Sequence, residues 1–175
     1  MPQGSRTLRA AGGHPGGDGG EGDSTGGPSP EREGIGRWPT LVIKAGDSES
    51  LRQLEADMRW WFDKSNHDVK IVLLAKFDRR SSRIILQKWE EETPSARTGA
   101  TTTRRPPPLQ PVLRQEITIS RDQSTDPLTY NVARGVLVLG FRLLFLRDPG
   151  LQDGDFVISI EDLERYARAV WTYVD

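Results

Sequence analysis

The chain has 175 residues, with 24 Lys+Arg against 25 Asp+Glu and no Cys. That length allows one domain, or one domain with tails. Without Cys there is no disulfide scaffold and no Cys-ligated zinc or iron–sulfur site; two histidines, His14 and His67, exclude a His-rich metal cage, and the balanced charge lacks the clustered basic face of a dedicated DNA-binding domain.

Glycine and proline are unevenly placed. Twelve of the 18 glycines fall in residues 1–36, and four of the 12 prolines fall between Pro106 and Pro111. Residues 1–36 have little to bury against the backbone entropy that ordering costs, about 1–2 kcal/mol per residue. A disordered Gly-rich tail is expected there. Neither a preceding strand nor a following helix supports a phosphate-binding loop. No apolar run approaches the roughly 20 residues of a membrane helix. The opening lacks a basic stretch followed by an apolar one. The expectation is therefore an intracellular protein with no membrane segment.

Thr40 to Ala45 is a short β-branched, apolar run and reads as a strand. Gly46-Asp47-Ser48 breaks it and offers a helix N-cap. A helix is expected from about Glu49 to Lys64, with Leu51, Leu54, Met58, Trp61 and Phe62 on one face. Ser65-Asn66-His67-Asp68 is a turn cluster. Val69 to Phe77 reads as a second strand. Its unbroken Ile71-Val72-Leu73-Leu74-Ala75 predicts cover on both faces. Asp78 to Ser82 is a turn, and Arg83 to Glu91 a third strand. Residues 93–112 read as a flexible, Pro-rich insertion. Arg114 to Ile119 alternates polar and apolar residues, as a half-buried strand does. Asp126-Pro127 marks a turn. Val136 to Leu139 is a strand, Phe141 to Leu146 a short helical piece, and Asp155 to Ile158 a further short strand. Ser159 caps a closing helix over 160–172, with Leu163, Ala167, Val170 and Trp171 on its buried face.

The pattern predicts an α/β fold: a mixed β-sheet with a βαβ core and two main helices. One domain is expected over 37–175, behind the tail at 1–36 and interrupted by the insertion at 93–112.

Several stretches carry a resemblance. These are Pro39 to Ser50, Asp57 to Phe62, Asp68 to Leu74, Arg83 to Glu90, Phe141 to Arg147, Gly154-Asp155-Phe156 and Asp162-Leu163-Glu164. Together they resemble a family of mostly uncharacterised fungal proteins, which in turn resembles the PD-(D/E)XK nuclease-like fold. The resemblance implies a central mixed sheet and a site of clustered carboxylates holding Mg²⁺ beside a lysine. A metal and a cation there stabilise the negative charge that builds during phosphodiester hydrolysis. This chain departs from that pattern: Thr40 and Lys44 stand where the family would carry acids. An ammonium at Lys44 repels a cation.

Lys44, Glu49, Asp68 and Lys70 are therefore read as a vestigial site. Asp68 and Lys70 form an acid-x-Lys spacing that an extended strand places on one face. Competing structural roles are a turn for Asp68, a strand end for Lys70, and capping or first-turn charge for Asp47 and Glu49. Ser48 and Ser50 have no partner histidine nearby. Trp61 is expected in the core and Trp60 at a sheet edge, in place of a base-stacking platform. Arg79-Arg80-Ser81-Ser82 fits a basic-directed kinase site or a phosphate contact, but an exposed charged hairpin turn is the default reading. The leading expectation is a degenerate, non-catalytic nuclease-like domain acting in interactions with a protein partner and needing no cofactor. The alternatives are an active Mg²⁺-dependent nuclease acting on nucleic acid, and an interaction module unrelated to nucleases.

Overall fold

The computed structural model describes residues 24–26, 38–94 and 107–174. The tail expected at 1–36 lies outside them except for Ser24–Gly26, as does 95–106, the centre of the expected insertion. Strand β1 (Ser24–Gly26) pairs antiparallel with β2 (Leu41–Gly46), so these three residues of the Gly-rich stretch adopt regular structure. Helix α1 (Leu51–Lys64) then crosses over to β3 (Ile71–Asp78), which runs parallel to β2 with Leu41 opposite Ile71 and Lys44 opposite Leu74. Strand β4 (Arg83–Glu92) returns antiparallel. The strands β5 (Gln110–Asp122) and β6 (Thr129–Ala133) complete an antiparallel meander. Spatial order follows chain order from β1 to β6. The short β7 (Leu137–Leu139), α2 (Phe141–Phe145), β8 (Phe156–Ile158) and α3 (Ile160–Val174) follow, and β7 and β8 form their own antiparallel ribbon.

This is the expected mixed sheet with a βαβ core and two main helices. Strand β3 explains the layering. Val72 and Leu74 point to one face, where they pack with Val42, Leu54, Met58, Trp61 and Phe62 under α1. Ile71 points to the other, where Leu41, Ile84, Ile117, Ile119, Leu163, Ala167 and Trp171 form a second core. The period of two sorts one apolar run into two cores.

Helix α1 begins at a capping box. The Ser50 hydroxyl accepts from Gln53 N, and the Gln53 side chain accepts from Ser50 N. The N-cap is therefore Ser50, two residues beyond the Gly46-Asp47-Ser48 expected from the sequence. A reciprocal box satisfies two orphan donors, which Ser48 followed by Leu51 cannot do. The turn from α1 to β3 puts Asn66 and His67 in the left-handed region, at φ 50° and 65°. Ser65 is 2% exposed. Its hydroxyl donates to Phe62 O and accepts from Val69 N.

Besides β1, which lies inside the tail expected to be disordered, two elements differ from expectation. Strand β5 starts at Gln110, inside the expected insertion, because Gln110 to Val112 pair with Glu90 to Glu92. Pro111 is accommodated where, among the described residues, no outer strand pairs with β5, since β6 covers only Thr118 to Asp122. Strand β6 was not foreseen: Tyr130 and Val132 alternate over only five residues, too few to separate from a loop. Among the described residues, no helix is long and apolar enough to cross a membrane.

The second core layer is tethered by polar side chains. Thr40, 1% exposed, donates its hydroxyl to Leu144 O of α2 at 2.8 Å. Lys88 reaches Val138 O at 2.8 Å, and Gln115 bonds both Val136 O and Val138 N. Asp155 Oδ1 accepts from Phe141 N at the start of α2.

The fully buried Phe62 sits at the centre of the α1 layer. Phe62→Ala is expected to cost roughly 3–5 kcal/mol in urea denaturation through transfer and cavity terms, whereas Ser50→Ala should cost only about 1 kcal/mol. Equal losses would contradict the placement of Phe62 in a packed core.

Candidate functional site

The four residues of the expected vestigial site divide between opposite ends of the β2–β3 pair. Lys44 lies toward the C-terminal end of β2, half-buried, on the α1 face with Val42. Glu49 is further on, between β2 and α1. Its carboxylate rests against Gly46, where a Cβ would stand 2.8 Å from Oε2. Asp68 and Lys70 precede β3. Lys70 N donates to Thr40 O at 2.9 Å, so Lys70 aligns with the start of β2. Four residues separate that level from Lys44, about 13 Å at strand rise. The acid-x-Lys pair and Lys44 do not share a cleft.

Asp68 and Lys70 have local roles. The Lys70 ammonium donates to the carbonyl of His67. Asp68 N donates to Ser65 O, closing the turn. Asp47 does not cap α1 as expected. Its carboxylate takes a bidentate bond from Arg79, one arm at 2.9 Å through Nε, and its carbonyl accepts from Lys76. The cation across the β3–β4 turn outcompetes the helix terminus, because a bidentate guanidinium pair is geometrically matched. The first turn of α1 holds no acidic residue.

The residues do not fit a divalent cation. Mg²⁺ needs converging hard oxygen donors, yet Thr40 spends its hydroxyl on α2 and Lys44 carries an ammonium. Among the described residues, no three His, Asp or Glu side chains are grouped to hold a metal.

The tryptophans pack with one another. Trp38, Trp60 and Trp61 meet edge-to-face, with centroids 5.1 to 6.2 Å apart and planes 74° to 89° apart. Trp61 is 6% exposed. Rings in mutual edge contact leave no slot between them for a base. Arg79 to Ser82 form the β3–β4 turn, in which Asp78 Oδ1 accepts from Ser81 N and Asp78 Oδ2 from Arg83. Arg79 is thus held by Asp47 of the β2–α1 connection, and Arg83 by Asp78 of its own turn.

Polar clusters that the sequence reading missed lie on β4. His67 Nδ1 stands 2.9 and 3.0 Å from the two carboxylate oxygens of Glu91, whose side chain is 8% exposed. An ionised carboxylate only accepts, so Nδ1–H donates and a neutral ring keeps its lone pair on Nε2. That is a base-like arrangement, but Ser65, two residues away in sequence, has its hydroxyl buried in two backbone bonds. On the same face, Trp89 Nε1 donates to Gln87 Oε1, Gln87 Nε2 to one Glu116 oxygen, and Arg134 to the other. On the opposite face, Lys88 pairs with Glu90 at 3.0 Å. The run Gln87-Lys88-Trp89-Glu90-Glu91-Glu92 was the available signal, since polar residues inside a central strand need partners on both faces.

Removing His67 strands a buried carboxylate. His67→Asn, which tolerates the left-handed backbone, is expected to destabilise by roughly 1–3 kcal/mol. A double-mutant cycle with Glu91→Gln should return a coupling near 1 kcal/mol, and additive losses would dissolve the pair. Asp78 gives a pH signature. The Ser81 hydroxyl, then Ser81 N–H and Arg83, hold its carboxyl below the usual range against the opposing effect of burial. A depressed native pKa gives stability that is present above the unfolded value, about 3.9, and lost as pH falls through the native one. Asp78→Asn should therefore flatten the acid limb of a stability–pH profile; an unchanged limb would refute that assignment.

No family model matches this chain, and neither a curated protein nor a solved structure does, so what it does must be read from its own residues.

Proposed function

We propose that this α/β domain is a non-catalytic member of a nuclease-like lineage that acts through interactions. One observation carries the non-catalytic part of the reading: Lys44 and the Asp68–Lys70 pair, which the resemblance would gather into one site, lie toward opposite ends of the β2–β3 pair, and Lys70 and Asp68 serve the local turn. The metal-dependent phosphodiester hydrolysis that the resemblance implies needs a metal and a positioned water within one constellation. A lysine ammonium and a threonine committed to a helix carbonyl do not supply its ligands. One face of the sheet is covered over β2 and β3 by α1, while Thr129, Asn131 and Ala133 on the outermost strand are exposed. That leaves a polar sheet surface and an edge available for protein contacts.

The test uses the full chain with single- and double-stranded DNA, with and without Mg²⁺ or Mn²⁺. No metal-dependent cleavage is expected. Cleavage that requires the metal and disappears in Asp68→Ala would overturn the reading. Lys44→Glu tests the lineage: a gain in Mn²⁺ binding by calorimetry is expected, and no gain counts against nuclease ancestry.

A further inference from the structure

Among the described residues, the outer edge of β6 is open. Strand β6 pairs there with β5 alone, Asn131 opposite Ser120 and Tyr130 opposite Arg121. The direction of its peptide groups follows from β5. Arg121 N donates to Ser82 O on the β4 side at 2.8 Å. Peptide groups alternate along a strand, so Ser120 and Asp122 face β6. Their partners Asn131 and Thr129 thus bond inward, and Tyr130 and Val132 turn their N–H and C=O groups outward. Two donors and two acceptors stand in a row.

Sheet edges are normally blunted by charge, proline or a bulge. The uncovered first half of β5 has all three: Pro111, Arg114 with Glu116, and a register shift opposite Lys88 and Trp89. The sequence of β6, Thr129-Tyr130-Asn131-Val132-Ala133, has none.

We infer that the β6 edge is a self-association surface, on which a second copy of this chain pairs antiparallel about a two-fold axis through Asn131. In that register Tyr130 lies opposite Val132 of the other copy, and each such pair exchanges two hydrogen bonds, so all four outward groups are satisfied on both copies. The side chains match in the same register. Tyr130 and Val132 both pack on the core beneath α3, and they become an aromatic–β-branched cross-strand pair that continues that core. On the other face the two exposed Asn131 side chains meet on the axis, at the closer, non-hydrogen-bonded spacing of about 4.5 Å. Thr129 falls opposite Ala133. Within the paired strands no like charges oppose one another, and Arg168 of α3 stands over the Tyr130 ring at 5.9 Å. The strand is its own complement, which is what an isologous interface requires and what selects a second copy over an unrelated extended peptide. The inference rests on the interaction reading above and names the partner of one surface. Cleavage and mass are separate readouts, so either can fail alone.

Sedimentation or light scattering across concentration, up to about 1 mM, measures the mass of the full chain. The wild type is expected to move from 19.6 kDa toward twice that value. Asn131→Lys leaves the bonds to β5 intact but sets two ammonium groups across the axis. It should raise the dimer dissociation constant about tenfold or more, with an unchanged thermal midpoint at low concentration. Asn131→Asp should be impaired alike. An equimolar mixture of the Lys and Asp variants should recover the dimer, because the axis then carries opposite charges. A wild type that stays monomeric over the whole range overturns the proposal, as does an Asn131→Lys variant that dimerises as tightly as the wild type or a mixture that recovers nothing.

Discussion

Strand β3 is the constraint on which the rest of this protein depends. Ile71 to Ala75 contains no polar side chain, so neither face of that strand can meet water without a large cost. Its pleat sends Val72 and Leu74 to one side and Ile71 to the other. Each side then needs a layer of its own. Helix α1 supplies one, because it is short, amphipathic and tied to both β2 and β3 by the crossover. The C-terminal elements supply the other, with α3 over β5 and β6 and with α2 beside β2.

The two layers are held by different physics. Under α1 the contact is almost wholly apolar, and Phe62, Leu54 and Met58 are fully buried. Under the C-terminal elements an apolar core is supplemented by side chains reaching from the sheet to backbone groups: Thr40 to α2, and Lys88 and Gln115 to the β7 region. Short pieces such as β7 and α2 have few internal bonds of their own. Side chains that satisfy their peptide groups fix them where hydrophobic contact alone would let them slide.

That same use of polar groups bears on function. Among the residues that read in sequence as a remnant of a metal site, Asp68 and Lys70 are turn residues in three dimensions, and Thr40 is a tether. A carboxylate or hydroxyl already committed to a guanidinium or a carbonyl is not free to bind a cation. Surface that remains uncommitted lies instead on the outer strand, where backbone groups themselves are the available chemistry.

The sequence by itself determined the βαβ unit, the turn at Ser65 to Asp68, the antiparallel return of β4 and the closing helix capped by Ser159. These rest on local periodicity and capping, and the pattern of Leu54, Met58, Trp61 and Phe62 or of Leu163, Ala167 and Trp171 survives packing unchanged. Long-range partners were illegible. That Asp47 would pair with Arg79 in place of capping a helix and that Lys44 and Lys70 would sit at opposite strand ends follow from the parallel register of β2 with β3, and that His67 would find Glu91 24 residues on follows from the antiparallel register of β3 with β4. The start of β5 at Gln110 and the existence of β6 were likewise tertiary decisions. A strand is completed by its neighbour, so a stretch whose own residues are ambiguous becomes regular only when an adjacent edge supplies the hydrogen bonds.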